Sequence, residues 1–316
     1  MKVDVGLVRG AVPDFERMFK QAQRQVKQRD RQLEQMRKRL SGRGKRPENE
    51  TAETEELSYQ ALYESRIQQT SPDVAIGTAR PFDLVGRLEI AALKKEGLKP
   101  TDTLVDLGCG SGRLAVHAIP YLAGGHYVGI DIAQAMLDEA QKRAAETIPD
   151  PPCRVSWIHQ TTPSFELDAN SVDMICAFSV INHMEHEDSY LYLKEALRIV
   201  RPGGRFVFSC LPINTERARA IFLKSARVDL QTRYSRVRHV ATSKDFMTDI
   251  ARLAGWTPVR WYDGDEKNIQ LDNGELHQFN QSICVLEAPQ QSEASAELAS
   301  ANEEHASGGR RKARPL

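Results

Sequence analysis

The chain of 316 residues is short of several features that would place it quickly. Its five cysteines, Cys109, Cys153, Cys176, Cys210 and Cys284, are scattered and odd in number, and none forms a C-x-x-C pair. That excludes a disulfide framework and the usual cysteine metal and redox motifs, and it reads as reduced thiols. No apolar run approaches the ~20 residues of a membrane span, and the first residues, MKVDVGLVRGAVPDFER, have no long apolar segment of the secretory kind. A cytoplasmic protein is the expectation. Net charge is missing too: 43 Lys and Arg balance 43 Asp and Glu, so overall charge names no partner. No internal repeat is visible.

The charge is, however, segregated. Residues 14–40 carry a helical pattern with Phe19, Val26, Leu33 and Leu40 seven apart, close to four heptads of a coiled coil. Between Asp14 and Arg46 there are 12 Lys and Arg against 4 Asp and Glu. Two readings stand for this helix: a solvated coiled-coil face through which the chain self-associates, or a patch for an anionic surface or acidic partner, peripheral to a membrane for instance. Aromatic residues do not interleave with the basic ones beyond Phe15 and Phe19, so stacking on nucleic-acid bases has little support. Ser41–Pro47 stops the helix, and Glu48–Glu56 supplies five glutamates and no basic residue. A short helical pattern follows at 57–68. The expected organisation is a basic helical segment at 1–46, an acidic linker with a short helix at 47–76, a folded domain at 77–288, and an unstructured tail at 289–316 rich in Ala, Ser, Glu and Gln.

From Pro81 onward strand and helix patterns alternate. Strands are expected at Thr103–Leu107, Tyr127–Ile130, Arg154–Ile158, Val172–Ala177 and Arg205–Cys210, then near 257–262 and 281–287. Helices are expected at Arg113–Leu122, Ala133–Ala145, Tyr190–Val200, 215–229 and 243–254. Such alternation predicts an α/β fold with a mostly parallel sheet wound on both faces.

The densest chemistry lies in Asp106-Leu107-Gly108-Cys109-Gly110-Ser111-Gly112. An apolar strand runs into glycines and then a helix, so backbone can approach a ligand closely and free N–H groups face it. A dinucleotide site favours G-x-G-x-x-G, but Arg113 stands where that pattern wants its third glycine. A second strand ends in Asp131, 25 residues after Asp106. An acid there can accept both hydroxyls of a ribose, or cap the helix that follows.

These motifs resemble those of the class I S-adenosylmethionine-dependent methyltransferases over roughly residues 77–287. Asp106–Gly112 is similar to the family's first motif, Gly129-Ile130-Asp131 to its second, and Ser171–Ile175 to the strand before the active-site edge. Phe178-Ser179-Val180-Ile181-Asn182-His183 resembles the loop after that strand, and Leu197–Arg205 the helix-turn-strand signature. The resemblance implies a Rossmann-like seven-stranded sheet whose last strand, Gln281–Glu287, runs antiparallel. It also implies S-adenosylmethionine as cofactor, with Gly108, Cys109, Gly110 and Gly112 cradling its methionine part, Asp106 organising the loop, Asp131 on the ribose and Ile132 against the adenine. Phe178 joins the same set. The family often has an acid after its third strand, against the adenine amine. Here that stretch reads Trp157–Thr162 without one, and Gln160 or Thr161 is left as the polar contact.

Methyl transfer needs alignment above all, and a base only where the acceptor must lose a proton. His183 is the candidate base; its other reading is a polar residue capping the helix that follows. His186 and the neighbouring acids are too local to form a convincing metal site, and no metal is expected. Arg80, Tyr234 and His239 are candidate acceptor contacts. The resemblance implies methylation of an oxygen or nitrogen on a small molecule or glycan. The chain has no Asn/Asp-Pro-Pro-aromatic tetrad, which disfavours an exocyclic base amine. Two other readings remain: a cofactor-binding adaptor that works through the coiled coil without turnover, and a nicotinamide oxidoreductase.

Overall fold

The computed structural model describes residues 58–70 and 81–290. The segment 14–40 expected to be a basic helix, the acidic stretch, Arg80 and the tail beyond 290 lie outside the described residues. A first helix, α1 (Tyr59–Gln69), starts on Ser58, whose side chain accepts from the Ala61 N–H at 3.1 Å. After it come α2 (Phe82–Lys95), β1 (Thr103–Leu107), α3 (Ala115–Tyr121), β2 (His126–Asp131), α4 (Gln134–Thr147), β3 (Arg154–His159) and β4 (Val172–Ala177). A single 3₁₀ turn, Ile181–His183, leads into α5 (His186–Ile199), β5 (Val200–Cys210), α6 (Glu216–Ala226), α7 (Leu230–Tyr234) and α8 (Lys244–Leu253). The chain closes with β6 (Thr257–Tyr262), a hairpin of β7 (Lys267–Gln270) and β8 (Leu276–Gln278), and β9 (Ser282–Glu287).

Seven strands form one sheet in the order β3-β2-β1-β4-β5-β9-β6. The pairs from β3 through β5 are parallel, whereas β9 runs antiparallel to both β5 and β6. The last strand is thus reversed, as expected, and it is inserted between β5 and β6 rather than lying at an edge. Side-chain alternation sends successive residues to opposite faces. Val105, Leu107, Val128, Ile130, Ile175, Phe206 and Phe208 belong to one buried cluster; Leu104, Tyr127, Met174, Cys176 and Val207 belong to the other. Both faces are therefore covered, which is why the strands read as nearly continuous apolar runs. The order reverses at β1, between β2 and β4, and ligands of open α/β sheets bind outside the strand ends at such a point.

Three features depart from the expected elements. β5 begins at Val200 and takes in Pro202-Gly203-Gly204, with Gly203 at φ +74° and a register shift opposite Val172–Met174. The helix expected at 215–229 ends at Ala226, and a further short helix not expected from the sequence, α7, follows it, capped by Asp229, whose carboxylate accepts from Thr232 N–H at 2.9 Å. The hairpin β7–β8 turns at Asp272-Asn273-Gly274, where Gly274 has φ +85°. All five cysteines are unpaired, four of them buried. Among the described residues no helix is long and apolar enough to cross a membrane.

Candidate active site

β1 delivers the chain to the switch point, and the next residues turn by adopting left-handed backbone: Gly108 at φ +70°, Gly110 at +55° and Gly112 at +86°. The N–H groups of Gly108 and Cys109 both donate to the Ile130 carbonyl, at 2.7 and 3.0 Å. Asp131 ties the loop from the β2 side. One of its oxygens accepts from Gly110 N–H at 2.8 Å and the other from Ala133 N–H at 3.0 Å. Burial raises the Asp131 carboxyl above its usual range, and these backbone donors pull it back.

At Gly108 a Cβ would stand 2.4 Å from Val180 Cγ2. Gly108→Ala is therefore expected to cost about 1–3 kcal/mol in left-handed strain and overpacking, read as a lower urea midpoint. Val180→Ala in the same chain should restore the steric share and leave the backbone share. Gly112 has a different part. It does not line the cavity described below, and a Cβ there would meet Ala140 at 3.2–3.3 Å, so this glycine lets the loop pack on α4.

Behind the loop, Asp106 accepts from the Tyr127 hydroxyl at 2.7 Å, and burial raises its carboxyl to about 7. Arg113 forms an ion pair at 2.6 Å with Glu89 of α2, whose carboxyl burial also raises and the guanidinium pulls back. The residue that replaces a dinucleotide glycine is thus a cation already engaged with a buried acid.

The opposite wall is built by the segment after β4. Ser179 sits at φ +61°, and its N–H donates to Ser209 Oγ at 2.7 Å; Ser209 Oγ donates to Gln281 Oε1 at 2.7 Å, and Gln281 Nε2 to Ser179 Oγ at 2.9 Å. This closed network fixes the turn that presents His183. His183 does not cap α5: Glu185 is at the N-cap position, and His183 Nδ1–H donates to the Arg238 carbonyl at 2.7 Å. Its Nε2 therefore carries the lone pair. His239 lies with its ring 4.6 Å from that of His183, and Asn182 Nδ2–H donates to His239 Nδ1 at 3.1 Å. His186 turns elsewhere and packs edge-on to Phe246 at 4.8 Å.

Burial, then the neighbouring His239, lowers His183 to about 3. A histidine with a folded value below its unfolded ~6.5 favours folding while neutral. That stability is fully present above ~6.5 and is lost as pH falls toward about 3. His183→Gln is expected to flatten the loss of stability between roughly pH 6 and pH 4, measured by urea denaturation at each pH.

α1 closes the site. Tyr59 donates its hydroxyl hydrogen to Asp188 Oδ2 and accepts from Glu185 N–H at 2.8 Å, fastening α1 to the start of α5. One turn on, Tyr63 meets the His183 ring edge-on at 6.2 Å. Tyr59→Phe removes both bonds and is expected to cost about 1–2 kcal/mol, with faster proteolysis of α1 as the local readout.

These walls enclose a cavity of about 510 Å³. Asp106, Gly108, Cys109 and Gly110 line it from the loop, Asp131 and Ile132 from the end of β2, and Gln160, Phe178, His183 and His239 from the other strand ends and the far wall. Thr161 and Tyr234 instead line a second cavity of about 530 Å³, which shares Tyr59, Tyr63, Ile132 and His183 with the first. Sequence reasoning missed Tyr59, Tyr63 and Arg66, which line the first cavity from α1 at helical spacing. Glu89 and Arg217 also line it, and no pattern in the sequence marks them.

A family model described as a methyltransferase domain matches residues 104–204. An uncharacterised 37.1 kDa protein in transposon TN4556 of Streptomyces fradiae is 36% identical over 110 residues, which are 34% of this chain and 30% of that protein. The 2-phytyl-1,4-naphtoquinone methyltransferase of Trichormus variabilis is 29% identical over 115 residues, 36% of this chain and 48% of that protein. The chain thus spans less than half the length of these two curated relatives. Among solved structures, magnesium protoporphyrin IX methyltransferase of Synechocystis PCC 6803, with bound SAH, aligns with a TM-score of 0.50 at 17% identity, covering 72% of this chain and 95% of that one. That likeness concerns the fold. Motif order, sheet topology and the matched family model agree: residues 104–204 match a methyltransferase domain, and they lie in a sheet with the Rossmann-like methyltransferase fold.

Proposed function

We propose that the protein methylates an oxygen, or a nitrogen, of a small molecule or glycan held beside His183, with S-adenosylmethionine as donor. The observation that carries this reading is the continuity of one cavity from the glycine loop and Asp131 to His183. A volume of about 510 Å³ is in the range of cofactor sites.

The lining fits the cofactor in three respects. Gly108 leaves open the space a Cβ would fill. Asp131 sits at the end of β2 with its carboxylate at the loop. Gln160 Nε2 donates to the Thr162 carbonyl at 2.8 Å, which leaves Oε1 buried without a partner in the cavity wall. That oxygen is an acceptor for the adenine amine where the family's usual acid is missing. Ile132 and Met136 supply apolar surface for the ring. When bound, S-adenosylmethionine supplies an electrophilic methyl, whose bond to the sulfonium breaks toward sulfur as the acceptor atom bonds to carbon.

The chain's own residues then position and deprotonate the acceptor. Arg238 O fixes the His183 tautomer, so Nε2 faces the work of accepting a hydroxyl proton. A base held near 3 is weak, yet it is neutral at every physiological pH, and the hydroxyl becomes strongly acidic as its oxygen is alkylated. The aromatic wall of Tyr63, Phe178 and Phe279 suits a planar acceptor; the naphthoquinone in the name of the Trichormus relative is of that kind.

The test is incubation of the full chain with methyl-labelled S-adenosylmethionine and a panel of hydroxylated aromatics, amines and sugars. Transfer to one class supports the reading. Tight S-adenosylhomocysteine binding with no transfer across the panel favours the adaptor reading instead.

A further inference from the structure

Acids and cations in the cavity are segregated. Its three buried carboxylates are all engaged: Glu89 by Arg113, Asp106 by the Tyr127 hydroxyl, and Asp131 by two backbone N–H groups. Arg113, the guanidinium at the loop end, is coupled to Glu89 and Asp106. Two other guanidinium groups line the same cavity, Arg66 from α1 and Arg217 from the first turn of α6. Among the described residues neither has a hydrogen-bond or ion-pair partner. Both are half-buried, so water screens them only in part. Their charge falls on the histidine pair: Arg66 opposes protonation of His183 and His239, and Arg217 that of His239.

Two arginines from separate helices, without counterions, beside neutral imidazoles, form an anion site. The guanidinium fork suits carboxylate and phosphate oxygens in particular. We infer that the methyl acceptor carries an anionic group, a carboxylate or phosphate ester, which Arg66 and Arg217 hold while its accepting hydroxyl meets His183. The inference rests on the methyl-transfer reading above and narrows its acceptor. Tyr63, between Arg66 and His183 on the cavity wall, gives the body of the acceptor an aromatic surface.

The test uses the full chain saturated with S-adenosylhomocysteine and three probes of one shape: 4-hydroxybenzoate, 4-hydroxyphenyl phosphate and the neutral 4-hydroxybenzamide. Calorimetry at low salt should show one of the anions binding at least about tenfold more tightly than the amide, and which anion wins separates carboxylate from phosphate. In Arg66→Gln and in Arg217→Gln that preference should fall to within about threefold, with S-adenosylhomocysteine affinity unchanged. Neither anion binding more tightly than the amide in the unaltered protein, or no binding of either anion, overturns the inference without recourse to a variant. Loss of S-adenosylhomocysteine affinity in the arginine variants also overturns it, because it gives those residues to the cofactor. An unaltered protein that binds no S-adenosylhomocysteine at all defeats the underlying methyl-transfer reading, a result distinguishable from the others.

Discussion

Asp131→Ala is expected to weaken S-adenosylhomocysteine binding by about a hundredfold or more. The side chain has two roles at one position. Its oxygens receive Gly110 N–H at 2.8 Å and Ala133 N–H at 3.0 Å, so it joins the glycine loop to the start of α4. In the proposed reading, this acid at the end of β2 also offers lone pairs to ribose hydroxyls. Hydrogen bonds to a charged acceptor contribute about 1.5–3 kcal/mol each, so loss of two with loosening of the loop accounts for the expected size. Asp131→Asn keeps the shape but removes one acceptor. The amide oxygen still accepts one backbone donor while the amide nitrogen turns a donor toward the other, so stability should fall by about 1–3 kcal/mol and affinity by about tenfold. Calorimetric titration and urea denaturation on the same preparations measure both. Unchanged affinity in Asp131→Ala contradicts a ribose at this carboxylate.

His183→Ala is expected to lower kcat on a hydroxyl acceptor by about a hundredfold, the lower end of what a positioned base contributes. The low end follows from the environment. Burial and His239 hold the imidazole at about 3, which makes it a weak acceptor of protons but keeps it neutral and available. Binding of S-adenosylhomocysteine should stay within about twofold if, as proposed, His183 serves the acceptor and Asp131 the cofactor. The parent enzyme should show no inflection of kcat from His183 across neutral pH, since the group loses its proton far below it. A substitution that leaves kcat intact would assign the acceleration to alignment alone; one that abolishes cofactor binding would place His183 at the wrong end of the cavity.

The parts of this fold legible in the sequence are those where local pattern and tertiary environment agree. β1, β2, β4 and β9 are short apolar runs, and at the switch point β1 runs into Gly108 and β2 ends in Asp131. Val200–Gly204 was not legible as strand, because proline and glycine have poor strand propensity and only the bulge opposite β4 accommodates them. The glycine loop and Asp131 could be read because their chemistry is contiguous in the chain. Of the far wall only His183 and His239 could be read; Tyr63, Arg66 and Arg217 come from α1 and α6, helices far apart in the chain that meet at this cavity. α1 shows the limit most clearly. It has no strong apolar face and no fully buried residue, and it is held by the Tyr59 hydroxyl at the start of α5. No periodicity announces such a clasp. Thr161 and Tyr234 line only the second cavity, which shares Tyr59, Tyr63, Ile132 and His183 with the first.

The most direct measurement of the central claim is a crystal structure of the chain with S-adenosylhomocysteine. The account predicts ribose hydroxyls on Asp131, the adenine amine at Gln160 Oε1, and the cofactor sulfur directed along the cavity toward His183. A cofactor lying elsewhere, or one whose sulfur faces away from His183 with Asp131 still bound only to Gly110 and Ala133, contradicts it.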